Sequence, residues 1–158
     1  MNRHPARLAA AAALAALLHT AMAADTPSTP AVPDQLTPVR ALIAEKKWAN
    51  AVDELKRVND PASADWNNLM GYSLRKAAKP DLAAAERFYN EALRIEPKHR
   101  GALEYSGELY LILGDLPKAE QRLAILDKLC LMPCEEYTDL KNAIARYKAN
   151  GNKYSAKN

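Results

Sequence analysis

The chain has 158 residues, with 22 Lys and Arg against 19 Asp and Glu and a formal net charge of +3. This near balance, with no run of more than three charged residues, argues against a nucleic-acid-binding protein and against one held on a membrane surface by a basic stripe. The length fits one domain of ordinary size.

Residues 1–23 have the pattern of an export signal. A short basic start with Arg3 and Arg7 precedes an Ala- and Leu-rich run at residues 8–18. The run is shorter than the roughly 20 apolar residues of a membrane-spanning helix, and residues 21–23 have the A-x-A form of a cleavage site. We therefore predict cleavage after Ala23, a periplasmic or secreted protein, and no stable membrane insertion afterwards. The mature net charge is then +1, because Arg3 and Arg7 leave with the signal.

Residues 24–37, ADTPSTPAVPDQLT, predict a Pro- and Thr-rich linker. Pro27, Pro30 and Pro33 each lack a backbone donor and disfavour helix in the preceding residue. Little in this stretch is apolar enough to be buried. We expect an extended segment without helix.

From residue 38 onward the hydrophobic periodicity is helical. Pro38 and Pro61 are expected at helix starts, with Thr37 and Asp60 as caps, and Gly114 is expected to end a helix before the cap Asp115. These signals predict seven helices near residues 38–46, 48–59, 63–77, 80–95, 98–113, 116–130 and 134–149.

An internal repeat runs through these helices. Ala51, Ala85 and Ala119 are 34 residues apart. Large apolar residues flank each alanine at matching distances, and together they predict one buried stripe in which the alanine allows close helix approach. The flanking columns are Trp48, Leu82 and Leu116, then Leu55, Tyr89 and Leu123, then Val58, Ala92 and Leu126. Gly71 and Gly107 predict tight crossings on the partner helices.

This pattern resembles the tetratricopeptide repeat family, whose helix-turn-helix units are about 34 residues long. The third copy matches at Gly107, Tyr110, Gly114, Asp115 and Ala119, and the second at Gly71, Ala85, Tyr89, Ala92 and Pro97; the first is carried by Trp48, Ala51 and Leu55. The second copy has two extra residues in the turn around residues 76–80. The resemblance implies an all-α, right-handed α-solenoid of about three units over residues 38–131.

The last predicted helix differs from the repeats. Tyr137, Leu140, Ile144 and Tyr147 form one apolar stripe, and charged residues cover the rest of the helix. A solenoid leaves an apolar face on its final unit, so we expect residues 132–150 to form a capping helix. Residues 151–158 would then be a tail.

Function in the repeat family resides in a concave groove lined by the first helix of each unit, where peptides bind. The resemblance therefore implies a non-enzymatic adaptor, scaffold or assembly factor for a protein or peptide partner. It places eight residues in the groove: Asn68, Tyr72, Arg75, Lys76, Glu104, Glu108, Leu111 and Ile112. Tyr72, Arg75 and Lys76 would suit a carboxylate, and Leu111 with Ile112 an apolar side chain. The alternative is a solvated charged face, with Leu111 and Ile112 under the cap.

Cys130 and Cys134 are the only two cysteines in the chain. Export to an oxidising compartment predicts a disulfide between them, which would pin the cap to the stack. One alternative is a copper-binding accessory protein that uses the soft sulfur ligands Cys130, Met132 and Cys134. Another is a thiol-exchange role, which the neighbouring acids disfavour because they raise a thiol's pKa.

Catalysis has little support in the sequence. The only histidine after residue 23 is His99, in an inter-repeat turn where an exposed helix start is expected. No nucleophile has a recognisable base partner, and no glycine-rich phosphate loop occurs. We predict no enzyme activity, no cofactor, no catalytic residue and no metal site.

Overall fold

The computed structural model describes residues 34–154. This range contains seven α-helices and no strand, so its fold is all-α. The helices are α1 (Thr37–Ala44), α2 (Trp48–Val58), α3 (Ala64–Lys76), α4 (Leu82–Ile95), α5 (Arg100–Ile112), α6 (Leu116–Leu129) and α7 (Glu135–Ala149). The seven predicted helices are confirmed, with every end within two residues of its prediction. The predicted signal peptide, most of the linker and the last four residues of the tail lie outside the described range.

Each helix packs against the next one in the chain. Contacts also join α3 to α5 and α5 to α7. The helices α3 and α5 are therefore central, since each has neighbours on both sides and they touch each other. None of the helices in residues 34–154 has the combination of length and apolar character that a membrane crossing requires.

The buried apolar side chains fall into three neighbouring clusters along the chain. Leu55, Trp66 and Met70 belong to the first, Ala85, Tyr89 and Leu109 to the second, and Leu103, Leu126, Leu140 and Ile144 to the third. Removing one such leucine or tyrosine side chain from water contributes about 2 kcal/mol. The third cluster includes residues of α5, α6 and α7, so the last helix is part of the core.

The positions that repeat in the sequence have matching surroundings. Ala51, Ala85 and Ala119 are all 0% exposed. The residue three positions before each alanine is half-buried in all three copies; these residues are Trp48, Leu82 and Leu116. Four positions after each alanine, Leu55 and Tyr89 are fully buried and Leu123 is half-buried. The 34-residue spacing therefore corresponds to a recurring pattern of burial.

The two helical glycines lie where helices approach closely. A Cβ atom on Gly71 would lie 2.9 Å from the Tyr89 ring and 3.1 Å from the Ala85 carbonyl oxygen. A Cβ atom on Gly107 would lie 2.5 Å from a methyl group of Leu140. Gly71 thus allows α3 to approach α4, and Gly107 allows α5 to approach α7.

Two of the predicted helix caps are wrong. Thr37 lies inside α1, whose N-cap Leu36 offers no side-chain bond. Asp60 and Pro61 belong to a turn before α3, closed by a bond from the Ser63 amide to the Asp60 carbonyl at 3.1 Å. Ser63 is the cap, and its hydroxyl accepts from the Trp66 amide at 3.2 Å. Asp81, His99 and Asp115 cap the next three helices.

The predicted disulfide is confirmed. Cys130 ends α6 and Cys134 precedes α7, and their Cα atoms are 5.8 Å apart across the bond. The stripe predicted on α7 faces the core, because Leu140 is 0%, Ile144 4% and Tyr147 5% exposed. A covalent link and an apolar face together hold α7 against α5 and α6.

Candidate functional site

An ion pair between α3 and α5 lies at the centre of the candidate site. Arg75 Nη2 donates to Glu108 Oε2 at 2.8 Å, and Arg75 Nε donates to Tyr89 Oη at 3.3 Å. Burial by itself would lower the pKa of Arg75, but the interactions with Tyr89 and Glu108 are together larger, and the pKa is raised. The Arg75 side chain is only 2% exposed. Its charge is thus used within the protein and is not free for a ligand.

Aromatic rings continue from this ion pair across the helices. The Tyr72 and Tyr105 ring centroids are 4.5 Å apart, and Trp48 meets Tyr72 edge-on at 5.7 Å. The Arg75 guanidinium lies 5.4 Å from the Tyr72 centroid and 5.7 Å from that of Tyr105. Burial raises the pKa of both tyrosines, so they are neutral phenols at physiological pH. These contacts fix α3 against α5 and leave Tyr72 and Tyr105 half-buried.

A cavity of about 340 Å³, which we call the acidic pocket, lies at one end of this arrangement. It is lined by Arg40 of α1 and by residues in the first halves of α3, α5 and α7, with His99 just before α5. The lining comprises Arg40, Asp65, Asn68, Leu69, His99, Gly101, Glu104, Tyr105, Glu135, Glu136 and Asp139. Five of these are carboxylates, against one arginine and one histidine, so the pocket has a negative potential.

Three of the lining residues form a network at the rim. His99 Nε2 lies 2.9 Å from Asp65 Oδ1, and Arg40 Nη2 donates to Asp65 Oδ2 at 2.9 Å. Burial raises the pKa of Asp65, but the hydrogen bonds of His99 and Arg40 more than offset it, so that the pKa is lowered. His99 Nδ1 accepts from the Ala102 amide at 3.1 Å, which fixes the ring. Asp65 is therefore an ionised carboxylate that already has partners.

Glu104 lies deeper and has no such partner. It is 8% exposed and makes no side-chain hydrogen bond or ion pair with any residue in 34–154. Burial raises its pKa to about 8, aided by the charges of Glu108, Asp139 and Glu136 and opposed by Arg75. A large part of Glu104 is thus protonated at neutral pH.

Asn68 also lines the acidic pocket. It is 6% exposed, and its Oδ1 atom is buried without a hydrogen-bond partner among residues 34–154. Leaving such a group unpaired costs about 1–3 kcal/mol. Two buried polar side chains of the pocket therefore have unused hydrogen-bonding capacity.

A second cavity, of about 290 Å³, lies at the other end of the helices. We call it the terminal pocket; its lining comprises Arg75, Lys76, Ala77, Pro80, Leu82, Ile112 and Tyr154. Lys76 is exposed here and Ile112 is half-buried. Among residues 34–154 Lys76 forms no ion pair, so this end offers a positive charge beside apolar surface.

The structure divides the eight predicted groove residues among these regions. Asn68 and Glu104 line the acidic pocket, Lys76 and Ile112 line the terminal pocket, and Tyr72, Arg75 and Glu108 lie between them. The prediction for Leu111 is corrected: it is 1% exposed and belongs to the core cluster of α7, so it cannot contact a partner. The predicted carboxylate site is also corrected, because Arg75 is already paired with Glu108.

Sequence reasoning missed several acidic-pocket residues. The charge pattern of the last helix predicts a solvent-facing side that contains Glu135, Glu136 and Asp139; Glu135 is exposed and the other two are half-buried, and all three line the pocket. His99 was expected to be exposed, yet its side chain is 11% exposed. One signal pointed to it: Ser63 and His99 occupy equivalent positions before α3 and α5, and both cap a helix.

The disulfide-closed turn presents its apolar residues to solvent. Leu131 is 100% and Met132 80% exposed, and the two cysteine sulfurs are bonded to each other. In this oxidised form the sulfurs are not thiolates, the form in which cysteine binds metals. Within residues 34–154, no group of three or more His, Cys, Asp or Glu side chains is arranged to hold a metal ion.

Comparison with known proteins adds no family assignment. No protein-family model matches the chain, and no curated protein matches it significantly in sequence. The function is therefore inferred from the residues and their arrangement.

Proposed function

We propose that this protein is a non-enzymatic interaction module that binds a partner polypeptide along the face of α3 and α5. One observation carries the proposal. The side chains that the repeat register assigns to a binding groove, Leu111 excepted, lie together on two adjacent helices with a cavity at each end. An extended peptide that crosses the Tyr72 and Tyr105 rings would meet both cavities.

The proposed architecture is about three tetratricopeptide-like units in a right-handed solenoid, with α7 as the cap. The equal burial of Ala51, Ala85 and Ala119 supports this arrangement. The order of packing supports it too, because each helix contacts the next and α3 contacts α5. In such a stack the first helices of successive units form one face, which is where a peptide would bind.

The side chains that could act in catalysis are engaged in bonds within the protein, which favours binding over catalysis. Both ring nitrogens of His99 are within hydrogen-bond distance of protein groups, Asp65 and the Ala102 amide. Both cysteines are in a disulfide. The remaining polar groups of the face are paired with one another or lie in open cavities, as expected for a recognition surface.

We place this binding in the periplasm or outside the cell. The signal-like pattern at residues 1–23 supports export. The disulfide between Cys130 and Cys134 supports it independently, because such bonds persist in oxidising compartments and are rare in the cytosol.

The test is photo-crosslinking in the cells that make the protein. A photoreactive amino acid replaces Lys76 at the terminal pocket, and in matched controls it replaces Lys56 on α2 or Lys128 on α6, which are all exposed. We expect a discrete crosslinked partner from position 76 and none from the control positions. Equal products from all three positions, or none at 76, would refute binding at this face.

A further inference from the structure

We propose that the acidic pocket holds an arginine side chain of the partner polypeptide. This inference rests on the proposed function and specifies the chemistry of the ligand. The pocket combines an excess of carboxylates with two buried polar side chains that have no partner among residues 34–154, and an aromatic ring also lines it.

The first step is the charge within the pocket. Arg40 and His99 are both engaged with Asp65, and Arg100 lies 3.5 Å from Glu136. Among residues 34–154, the other three carboxylates of the pocket, Glu104, Glu135 and Asp139, form no ion pair. A single positive charge entering the pocket would therefore meet uncompensated negative charge from α7, and it would favour the ionised form of Glu104 on α5.

The second step concerns hydrogen bonds. Glu104 accepts none from residues 34–154, and the Oδ1 atom of Asn68 is buried without a partner there. A half-turn of the Asn68 amide would present the oxygen to the cavity and place the nitrogen in the buried position instead. In that orientation Asn68 and Glu104 both offer an acceptor oxygen to the pocket. The missing partner is a donor, and a ligand that carries several donors would satisfy both.

The third step distinguishes arginine from other cations. A guanidinium has five donors in a planar fork that matches carboxylates, and its flat faces stack on aromatic rings. Tyr105 supplies such a ring in the pocket lining, and Leu69 supplies apolar surface for the methylene stem. A cavity of about 150 Å³ accommodates benzene, so the volume of about 340 Å³ admits a guanidinium with part of its stem.

The pocket is less suited to a metal ion. No group of three or more of its His, Asp and Glu residues, nor any other such group in residues 34–154, is arranged to hold one. The carboxylates come from three helices and surround an open volume, which fits a large, delocalised cation.

The experiment is an NMR titration of the ¹⁵N-labelled full chain. The probe is the blocked tripeptide acetyl-Gly-Arg-Gly-amide, and the control is the same peptide with citrulline, which has the same shape but no charge. We expect saturable shifts at the Asn68 side-chain amide and the Gly101 and Glu104 backbone amides, with affinity at least about tenfold weaker for citrulline. Equal affinity for both peptides, or shifts confined to other residues, would overturn the proposal.

Variants make the test specific. Asp139→Asn and Glu104→Gln should each weaken arginine-peptide binding about fivefold to tenfold, while Glu120→Gln should not change it, because Glu120 pairs with Lys148 outside the pocket. Two pocket variants are used so that a folding defect in one does not decide the result. If Ca²⁺ or Mg²⁺ shifts the pocket resonances and the arginine peptide does not, the proposal is wrong.

The two proposals fail in different ways. The crosslink from position 76 does not require the acidic pocket, because Lys76 lines the terminal pocket. A crosslinked partner together with no arginine binding would leave the interaction module standing and remove the arginine site. Arginine binding without any crosslinked partner would remove the interaction module and leave an arginine-binding pocket.

Discussion

Arg75 and Glu108 join α3 to α5 through a hydrogen bond of 2.8 Å from Nη2 to Oε2. The Arg75 side chain is 2% exposed and that of Glu108 is 26% exposed. The arginine end of the pair is therefore shielded from water, whereas Glu108 keeps partial access to it. Because these residues connect adjacent helices of the proposed binding face, the pair also sets the spacing of that face.

Replacing Arg75 with Met should lower the free energy of unfolding by about 3 kcal/mol, since Glu108 loses its counter-charge and the Tyr89 hydroxyl loses its partner. Urea titration at pH 7 measures the loss. The control is Lys76→Met, an exposed neighbour that should change stability by less than about 0.5 kcal/mol. Arg75→Met combined with Glu108→Leu should recover much of the loss, and failure to recover would contradict the ion-pair account.

The helices could be predicted from sequence because apolar spacing and proline or glycine breaks act locally. The repeat register also predicted the burial of Ala51, Ala85 and Ala119, because the burial of each alanine follows from the apolar stripe of its own helix. The burial of Arg75 was not predictable in this way, because it depends on Glu108 and Tyr89, which lie on other helices. The acidic pocket was missed for a similar reason: it forms only when the first turn of α7 packs beside α5.

Gly107→Ala should destabilise the protein by about 1–3 kcal/mol through overpacking, although alanine is the better helix former. The added methyl would lie 2.5 Å from Leu140, which is fully buried. Chemical denaturation measures this change in the free energy of unfolding. Combining the change with Leu140→Ala should cost less than the sum of the two single changes, because the smaller side chain makes room. Strict additivity would show that the two residues do not compete for space.

Loss of the disulfide should weaken the attachment of α7. Cys130→Ser with Cys134→Ser should lower stability by about 2 kcal/mol in the chain-entropy treatment of so short a loop. Hydrogen exchange should accelerate most in α7, whose other attachments are its contacts with α5 and α6. The wild-type protein with and without reductant is the matched comparison. Uniform acceleration in all seven helices would contradict a local role.

The raised pKa of Glu104 gives a pH dependence of definite sign. Its folded pKa of about 8 exceeds the ordinary value of 4.5, so between these pH values the folded protein holds a proton that the unfolded chain releases. This carboxyl therefore lowers stability as pH rises from about 5 to 8, and its effect is constant above that range. The groups around it are Arg75, Tyr105, Glu108, Glu136, Asp139 and the rim residues Arg40, Asp65, His99 and Glu135.

Glu104→Gln should remove that contribution. As pH rises from 5 to 9, the free energy of unfolding of the variant should increase by about 2–4 kcal/mol relative to that of the wild type. The reason is that the neutral amide has no charge to desolvate. Urea titrations of both proteins at intervals of one pH unit give the difference curve, in which the titration of all other groups largely cancels. Asn50→Gln, at an exposed site on α2, adds and removes no titratable group, so it is the control and should give a flat difference. A flat curve for Glu104→Gln would show that the carboxyl titrates normally.

The equivalence of the three repeat copies can be tested with one substitution made three times. Ala51, Ala85 and Ala119 are each 0% exposed, so leucine at any of them should cause overpacking and lower stability by about 1–3 kcal/mol. Ala49 and Ala83 are also 34 residues apart but exposed, and leucine there should change stability by less than about 0.5 kcal/mol. Thermal and urea unfolding of the five variants separate the two classes. If the three buried positions differ among themselves as much as they differ from the exposed pair, then the 34-residue spacing does not mark equivalent packing, and the proposed solenoid loses its main support.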